Sequence, residues 1–217
     1  MSSFDAVVFD LDYTLAVTDR DRQALLDDAT ERAGAHDIER AAYLDAHGTV
    51  AATETRAPIF ERLVTDDTDP DELAMAYRLA IEDALVPVDG VPGLLADLHE
   101  SYRVGLLTDG PIAAQRDKLR TLDWAGLFDA VVITGSLPTG KPDERAFAAV
   151  CDDLDVDRAG TVYVGDRPAV DVEGAADAGL ATVQVLYPGG PESHAAADAV
   201  VDRDELVARL PEILPTL

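Results

Sequence analysis

"AVVFDLD", residues 6–12, is the stretch that decides the fold. Ala6-Val7-Val8-Phe9 is apolar without a break. A strand with one wet face alternates apolar and polar residues. This one does not, so it reads as buried on both faces, as in a parallel sheet. Four further runs repeat the pattern: "RVGLLTD" (103–109), "AVVIT" (130–134), "TVYVGD" (161–166) and "ATVQVLY" (181–187). "DAVVD" (198–202) reads as a shorter edge strand. Helical patterns near 92–100, 111–122, 142–153, 168–178 and 203–210 separate them. Such alternation implies right-handed βαβ units and a doubly wound, Rossmann-like parallel sheet.

One interval breaks the rhythm. From about residue 17 to residue 87 there is no strand-like run, only helical patterns such as Ala24, Leu25, Ala29 and Ala33. The clearest helix start is "DPDELAMAYRLAIEDAL". Asp69 can cap it, Pro70 suits the first helical position, and Glu72 closes a capping box. Leu73, Tyr77, Ala80 and Ala84 then mark one face. Residues 17–87 therefore read as an all-helical lobe inserted after the first strand into a core formed by 1–16 and 88–217. Val86-Pro87-Val88 is expected to return the chain to the sheet.

The 217 residues suffice for one core and a smaller lobe, and 47 % apolar content argues against disorder. No apolar run is long enough to span a bilayer. Met1-Ser2-Ser3 carries no basic region or apolar signal core, so a cytoplasmic location is expected. Cys151 is the only cysteine, which excludes an internal disulfide, and it reads as a small apolar residue. Acids number 43 against 17 bases, for a formal charge of −26. A surface of that sign should repel nucleic acid and anionic membranes at low salt. Such composition resembles that of proteins from organisms with a salt-filled, halophilic cytoplasm, where screening shortens the Debye length to roughly 3 Å at 1 M. Only Lys118 and Lys141 are lysines. In a chain so poor in lysine, each invites a reason. Lys118, in "QRDKLRTLDW", is expected at a solvent-facing helix position.

In open α/β sheets, ligands sit beyond the carboxyl ends of the strands. Asp10 and Asp12 follow the first strand; Thr108, Asp109 and Gly110 end the second. Lys141 lies in the loop after the third, and Asp166 and Asp171 follow the fourth. Several carboxylates in one crevice raise one another's pKa unless a cation neutralises them. Mg²⁺ does so with one or two carboxylates plus a substrate phosphate. A lysine and a threonine hydroxyl can hold the remaining phosphate oxygens. Together the strand ends read as a phosphoryl-transfer site. Gly135, four residues on to Gly140 and then Lys141 also has the spacing of a nucleotide-binding P-loop. That loop needs a Ser or Thr after its lysine to ligate Mg²⁺. Here Pro142 follows, with neither a hydroxyl nor an N–H to offer.

"DLDYTL" (10–15), "LLTDG" (106–110), "GKPDERAF" (140–147) and "VGDRPAVDVEGAADAGL" (164–180) resemble, in order and spacing, the four motifs of the haloacid dehalogenase superfamily. The resemblance covers nearly the whole chain, with 17–87 similar to that family's helical cap. It implies a Mg²⁺-dependent phosphatase acting on a small phosphorylated metabolite. Asp10 would be the nucleophile, and Asp12 the acid and then the base. Thr108 would bind a phosphoryl oxygen, helped by backbone N–H groups near Asp109 and Gly110. Lys141 would neutralise nucleophile and phosphate, with Pro142 starting the next helix. Asp166 would ligate the metal with Asp10 and the Asp12 carbonyl, and Asp171 would support the metal or orient Lys141. Gly174-Ala175 would serve close helix packing, and Gly179 a helix end. Tyr13 reads as a spacer.

The resemblance also names rivals. Dehalogenases of the superfamily lack the second aspartate, which is present here as Asp12. Phosphonate-cleaving members need a cap lysine, and 17–87 has none. Phosphoglucomutase-like transferases keep both aspartates and stay open, as does an acidic binding protein that keeps only the fold. In the helical lobe, Arg20, Arg22, His47, Arg56 and Arg62 are candidate substrate contacts.

Overall fold

The computed structural model describes residues 4–50, 53–65 and 67–217; the expectation attached to Met1-Ser2-Ser3 lies outside them. Strand β1 (Ala6–Phe9) is fully buried, as its unbroken apolar run requires. In chain order follow β2 (Ala16–Thr18), α1 (Arg22–Ala33), α2 (Arg40–Thr49), α3 (Ala57–Glu61), α4 (Pro70–Asp83) and β3 (Leu85–Pro87). Then come α5 (Val91–Leu98), β4 (Arg103–Thr108), α6 (Ile112–Thr121), β5 (Ala130–Ile133), α7 (Glu144–Leu154) and β6 (Thr161–Gly165). The last elements are α8 (Glu173–Asp177), β7 (Ala181–Leu186), β8 (Ala199–Asp202) and α9 (Leu206–Ile213). No helix among the described residues is long and apolar enough to cross a membrane.

The main sheet has six parallel strands in the order β5-β4-β1-β6-β7-β8. The chain starts in the middle, winds to one edge, then returns past β1 and winds to the other. That is the doubly wound order, and its switch point lies between β1 and β6. Helices α7 and α8 cover one face, where Phe147, Val150 and Leu154 pack on Val8, Leu107 and Val132. Helices α5 and α9 pack against each other on β4 and β8 respectively. Gly174 permits the close packing expected of it: a Cβ there would lie 2.7 Å from Pro142 Cβ.

The chain divides into two compact units: Met1–Val17, Pro87–Asp109 and Asp123–Leu217; and Thr18–Val86 with Gly110–Leu122. The second unit is helical. Its core joins Leu25, Leu26 and Ala29 of α1 to Tyr43, Ile59, Phe60, Leu73, Tyr77 and Ala80. The α4 face read from the sequence is thus the buried one. Asp69 caps α4 by accepting from the Asp71 N–H at 2.9 Å.

Three local expectations differ from the structure. Leu85–Pro87 does not rejoin the six-stranded sheet but pairs with β2 in a two-stranded ribbon. A segment of three residues whose Pro87 lacks an N–H cannot extend a central ladder. Pro142 does not start α7, which begins at Glu144 with Asp143 as its cap, accepting from Arg145 N–H at 3.0 Å.

The third is Lys118, which is buried and only 2 % exposed. Helix α6 clusters with the helical unit, and its Gln115, Asp117 and Lys118 are covered together with Ala114 and Leu119. A helix sunk on a polar face has no apolar stripe to betray its orientation. Lys118→Arg should therefore cost about 1–3 kcal/mol of stability through overpacking, read as a lower urea midpoint at unchanged slope.

Candidate active site

The site grows from the carboxyl ends of β1, β4 and β6 and the loop after β5. Asp10 is the first residue past β1 and is 2 % exposed; Asp166 is the first past β6 and is 3 % exposed. Their strands are neighbours at the switch point, and Asp10 N–H donates to Val164 O at 2.9 Å. Asp171 sits in a π-helical turn, Pro168–Val172, where Arg167 O accepts from both Asp171 and Val172. Such turns re-aim side chains at functional sites. Gly165 makes room for this one, since a Cβ there would meet Asp171 Cβ at 2.7 Å.

Lys141 is the hub. Its side chain is wholly buried, and Nζ donates to Asp10 Oδ1 at 2.8 Å, Asp171 Oδ1 at 2.7 Å and Tyr163 Oη at 2.7 Å. Leu107 O lies 3.3 Å away and also accepts from Tyr163 Oη. The loop carrying Lys141 is held in turn, its N–H donating to Asp109 Oδ1 at 3.1 Å. Arg167 closes the ring by donating to Asp109 Oδ2 at 2.7 Å and, through its N–H, to Asp171 Oδ2 at 2.9 Å. Both oxygens of Asp171 are thus committed to Lys141 and Arg167.

The other expected residues are placed as follows. Thr108 ends β4 fully buried, and Gly110 follows Asp109 with φ 134°. Asp12 is half-buried in a turn where Tyr13 adopts φ 64° and its N–H bonds Ala16 O at 2.8 Å. The structure gathers Asp10, Asp166 and Asp171, with ligand atoms all within 4.8 Å of one another; Asp12 stands outside that group of carboxylates.

Charge balance governs this centre. Asp10, Asp109, Asp166 and Asp171 are four carboxylates against two side-chain cations, Lys141 and Arg167. Burial pushes Asp10 up to about 6, against the pull of Lys141. Burial, then the charges of Asp10 and Asp171, push Asp166 up to about 8. Burial also acts on Asp171, but Lys141 and Arg167 outweigh it and hold its carboxyl below the usual range. Asp166 Oδ1 is buried with no hydrogen-bond partner among the described residues. An open carboxylate oxygen beside Asp10, in a centre short of positive charge, fits a hard divalent cation with oxygen ligands.

Sequence reading missed Arg167 and Tyr163. Arg167 directly follows the fourth-motif aspartate, and a cation beside a crowd of carboxylates was signal enough. Tyr163 lies in a strand of apolar residues and looks like core; nothing in the run marks its hydroxyl as a ligand of Lys141.

Fold and site define a doubly wound α/β protein whose polar centre lies at the switch point of a parallel sheet. Residues 4–179 match the model of the haloacid dehalogenase-like hydrolases, and the chain belongs to that family. Over 106 residues it is 36 % identical to the N-acylneuraminate-9-phosphatase of Mus musculus, covering 48 % of this chain and 43 % of that protein. The chain thus spans less than half the length of that relative. Over 204 residues it is 26 % identical to the N-acetylmuramic acid 6-phosphate phosphatase of Pseudomonas aeruginosa, covering 91 % of this chain and 90 % of that protein. A solved structure, the 2-haloacid dehalogenase of Pseudomonas syringae, superimposes with a TM-score of 0.72 at 20 % identity, covering 97 % of this chain and 99 % of that one. At that identity the likeness concerns the fold alone, so the chemistry must be argued from the residues.

Proposed function

We propose that this protein is a Mg²⁺-dependent phosphatase that hydrolyses a small phosphate monoester through an aspartyl-phosphate. The observation that carries the reading is the buried Lys141 ammonium, 2.8 Å from Asp10, a carboxylate that clusters with Asp166, whose Oδ1 is open. A fixed cation next to a carboxylate nucleophile is what attack on an anionic phosphoryl group requires. The relatives named for phosphatase activity support the same class.

In this reading Lys141 engages Oδ1 of Asp10, which leaves the second oxygen to attack phosphorus. The P–O ester bond breaks as Asp12 protonates the leaving oxygen. Asp12 then takes a proton from water as that water attacks the phosphorus of the aspartyl-phosphate. Inorganic phosphate leaves and Asp10 is regenerated. Thr108 and the N–H groups near Asp109 and Gly110 hold phosphoryl oxygens. Asp10, Asp166 and the Asp12 carbonyl would hold Mg²⁺, which supplies positive charge against the phosphoryl oxygens. Asp171 orients Lys141, since both its oxygens are taken. Residues 17–87 act as the cap and carry the substrate selectivity. The acid-rich composition supports a salt-filled cytoplasm as the setting.

The test is hydrolysis of an aryl phosphate at several molar KCl. Excess EDTA should stop phosphate release, Mg²⁺ should restore it, and Ca²⁺ should substitute poorly because its looser, larger coordination misplaces the attack. Undiminished hydrolysis in EDTA overturns the metal assignment. Phosphate transfer to a second hydroxyl, without release, would mark a phosphoglucomutase-like transferase instead.

A further inference from the structure

Tyr187 lies in the segment just past β7, and its hydroxyl donates to Asp166 Oδ2 at 3.4 Å. The other oxygen, Oδ1, is the buried one without a partner among the described residues. The ring of Tyr187 is itself held. It stacks on Tyr13 with centroids 5.5 Å apart and planes 18° from parallel. The Arg203 guanidinium sits 4.7 Å from its centroid, and Nη1 reaches Tyr13 O at 3.5 Å. Tyr13 takes φ 64°, a left-handed conformation uncommon for an aromatic residue. So two residues distant in sequence, one in unusual backbone geometry, converge on one phenol aimed at one carboxylate.

We infer that Tyr187 is a positioning residue for the metal centre: it takes up Oδ2 of Asp166 and so turns Oδ1 toward the divalent cation, with Tyr13 and Arg203 fixing the phenol in place. The inference rests on the metal reading above. Ligating carboxylates are oriented by outer hydrogen bonds, and their loss typically weakens metal affinity roughly 10–100-fold. A 3.4 Å contact is long for an O–H···O bond, so the phenol steers the carboxylate without locking it. The lower end of that range is the expected effect. Tyr13, a spacer by sequence, gains a role through the stack.

Mg²⁺ affinity measured by titration calorimetry, without substrate and at fixed KCl, tests this on four proteins. Tyr187→Phe keeps the ring and its stack and removes only the hydroxyl; it should bind Mg²⁺ about tenfold more weakly than wild type. Raising Mg²⁺ by about the same factor should recover its turnover, which a packing defect would not permit. Arg203→Leu, which keeps the phenol and its stack on Tyr13 but removes the guanidinium from the ring, should fall in between. Wild-type affinity in Tyr187→Phe, within about twofold, overturns the inference while Asp166→Asn, unable to bind, upholds the metal reading. If wild type and Asp166→Asn bind Mg²⁺ alike, the metal reading falls and the inference with it.

Discussion

Asp10→Asn is expected to lower phosphate-ester turnover by on the order of 10⁴-fold or more, the scale of loss when a covalent nucleophile is removed. The amide is nearly isosteric, so the pocket keeps its shape. Its oxygen can still accept from Lys141 Nζ, now 2.8 Å from Asp10 Oδ1. What disappears is the charge: an amide neither attacks phosphorus nor ligates a hard cation well. Asp12→Asn provides the contrast. Its nucleophile is intact, so a phosphorylated protein should accumulate in the mass spectrum while turnover slows. The Asp10 variant should show no such species. If Asp10→Asn keeps most of the wild-type rate, the nucleophile has been misassigned.

The five longer strand runs were legible because strands buried on both faces must be apolar almost throughout, as β1 (Ala6–Phe9) is. The edge strand β8, with Val200 exposed, was legible only from its short Val-Val run. The candidate residues were legible because a doubly wound sheet concentrates chemistry at strand ends. What the sequence hid has local causes. The stretch 168–178 reads as one helix, yet its first turn is π-helical and aims Asp171 inward, a displacement of one residue that leaves no trace in periodicity. Lys118 and Gln115 are buried on a polar helix face, which a hydrophobic pattern cannot register. Tyr163 is concealed by its strand, since a buried phenol and a buried phenylalanine look alike until the partner of the hydroxyl is known.

Lys141 tests how far shape, beyond charge, governs the centre. Its ammonium sits within 2.8 Å of three oxygens, from Asp10, Asp171 and Tyr163, in a pocket closed to solvent. Lys141→Arg keeps the charge but replaces a compact ammonium with a longer planar fork. That fork cannot place one nitrogen among those oxygens without displacing Asp10. A loss of roughly 10²–10³-fold in kcat is expected, the magnitude of removing one preorganised electrostatic contact. Lys141→Met removes the charge and keeps the bulk. Asp171 retains Arg167, but Asp10 is left buried without its ammonium, and a broken buried pair costs roughly 3–5 kcal/mol. The two variants should therefore separate: Arg impairs mainly the rate, Met both the rate and the urea midpoint. Kinetics and unfolding on the same samples, at several molar KCl, decide it. A folded Lys141→Arg protein with wild-type kcat would show that any cation serves there, and the ammonium would then be a structural counter-charge with no part in holding phosphate.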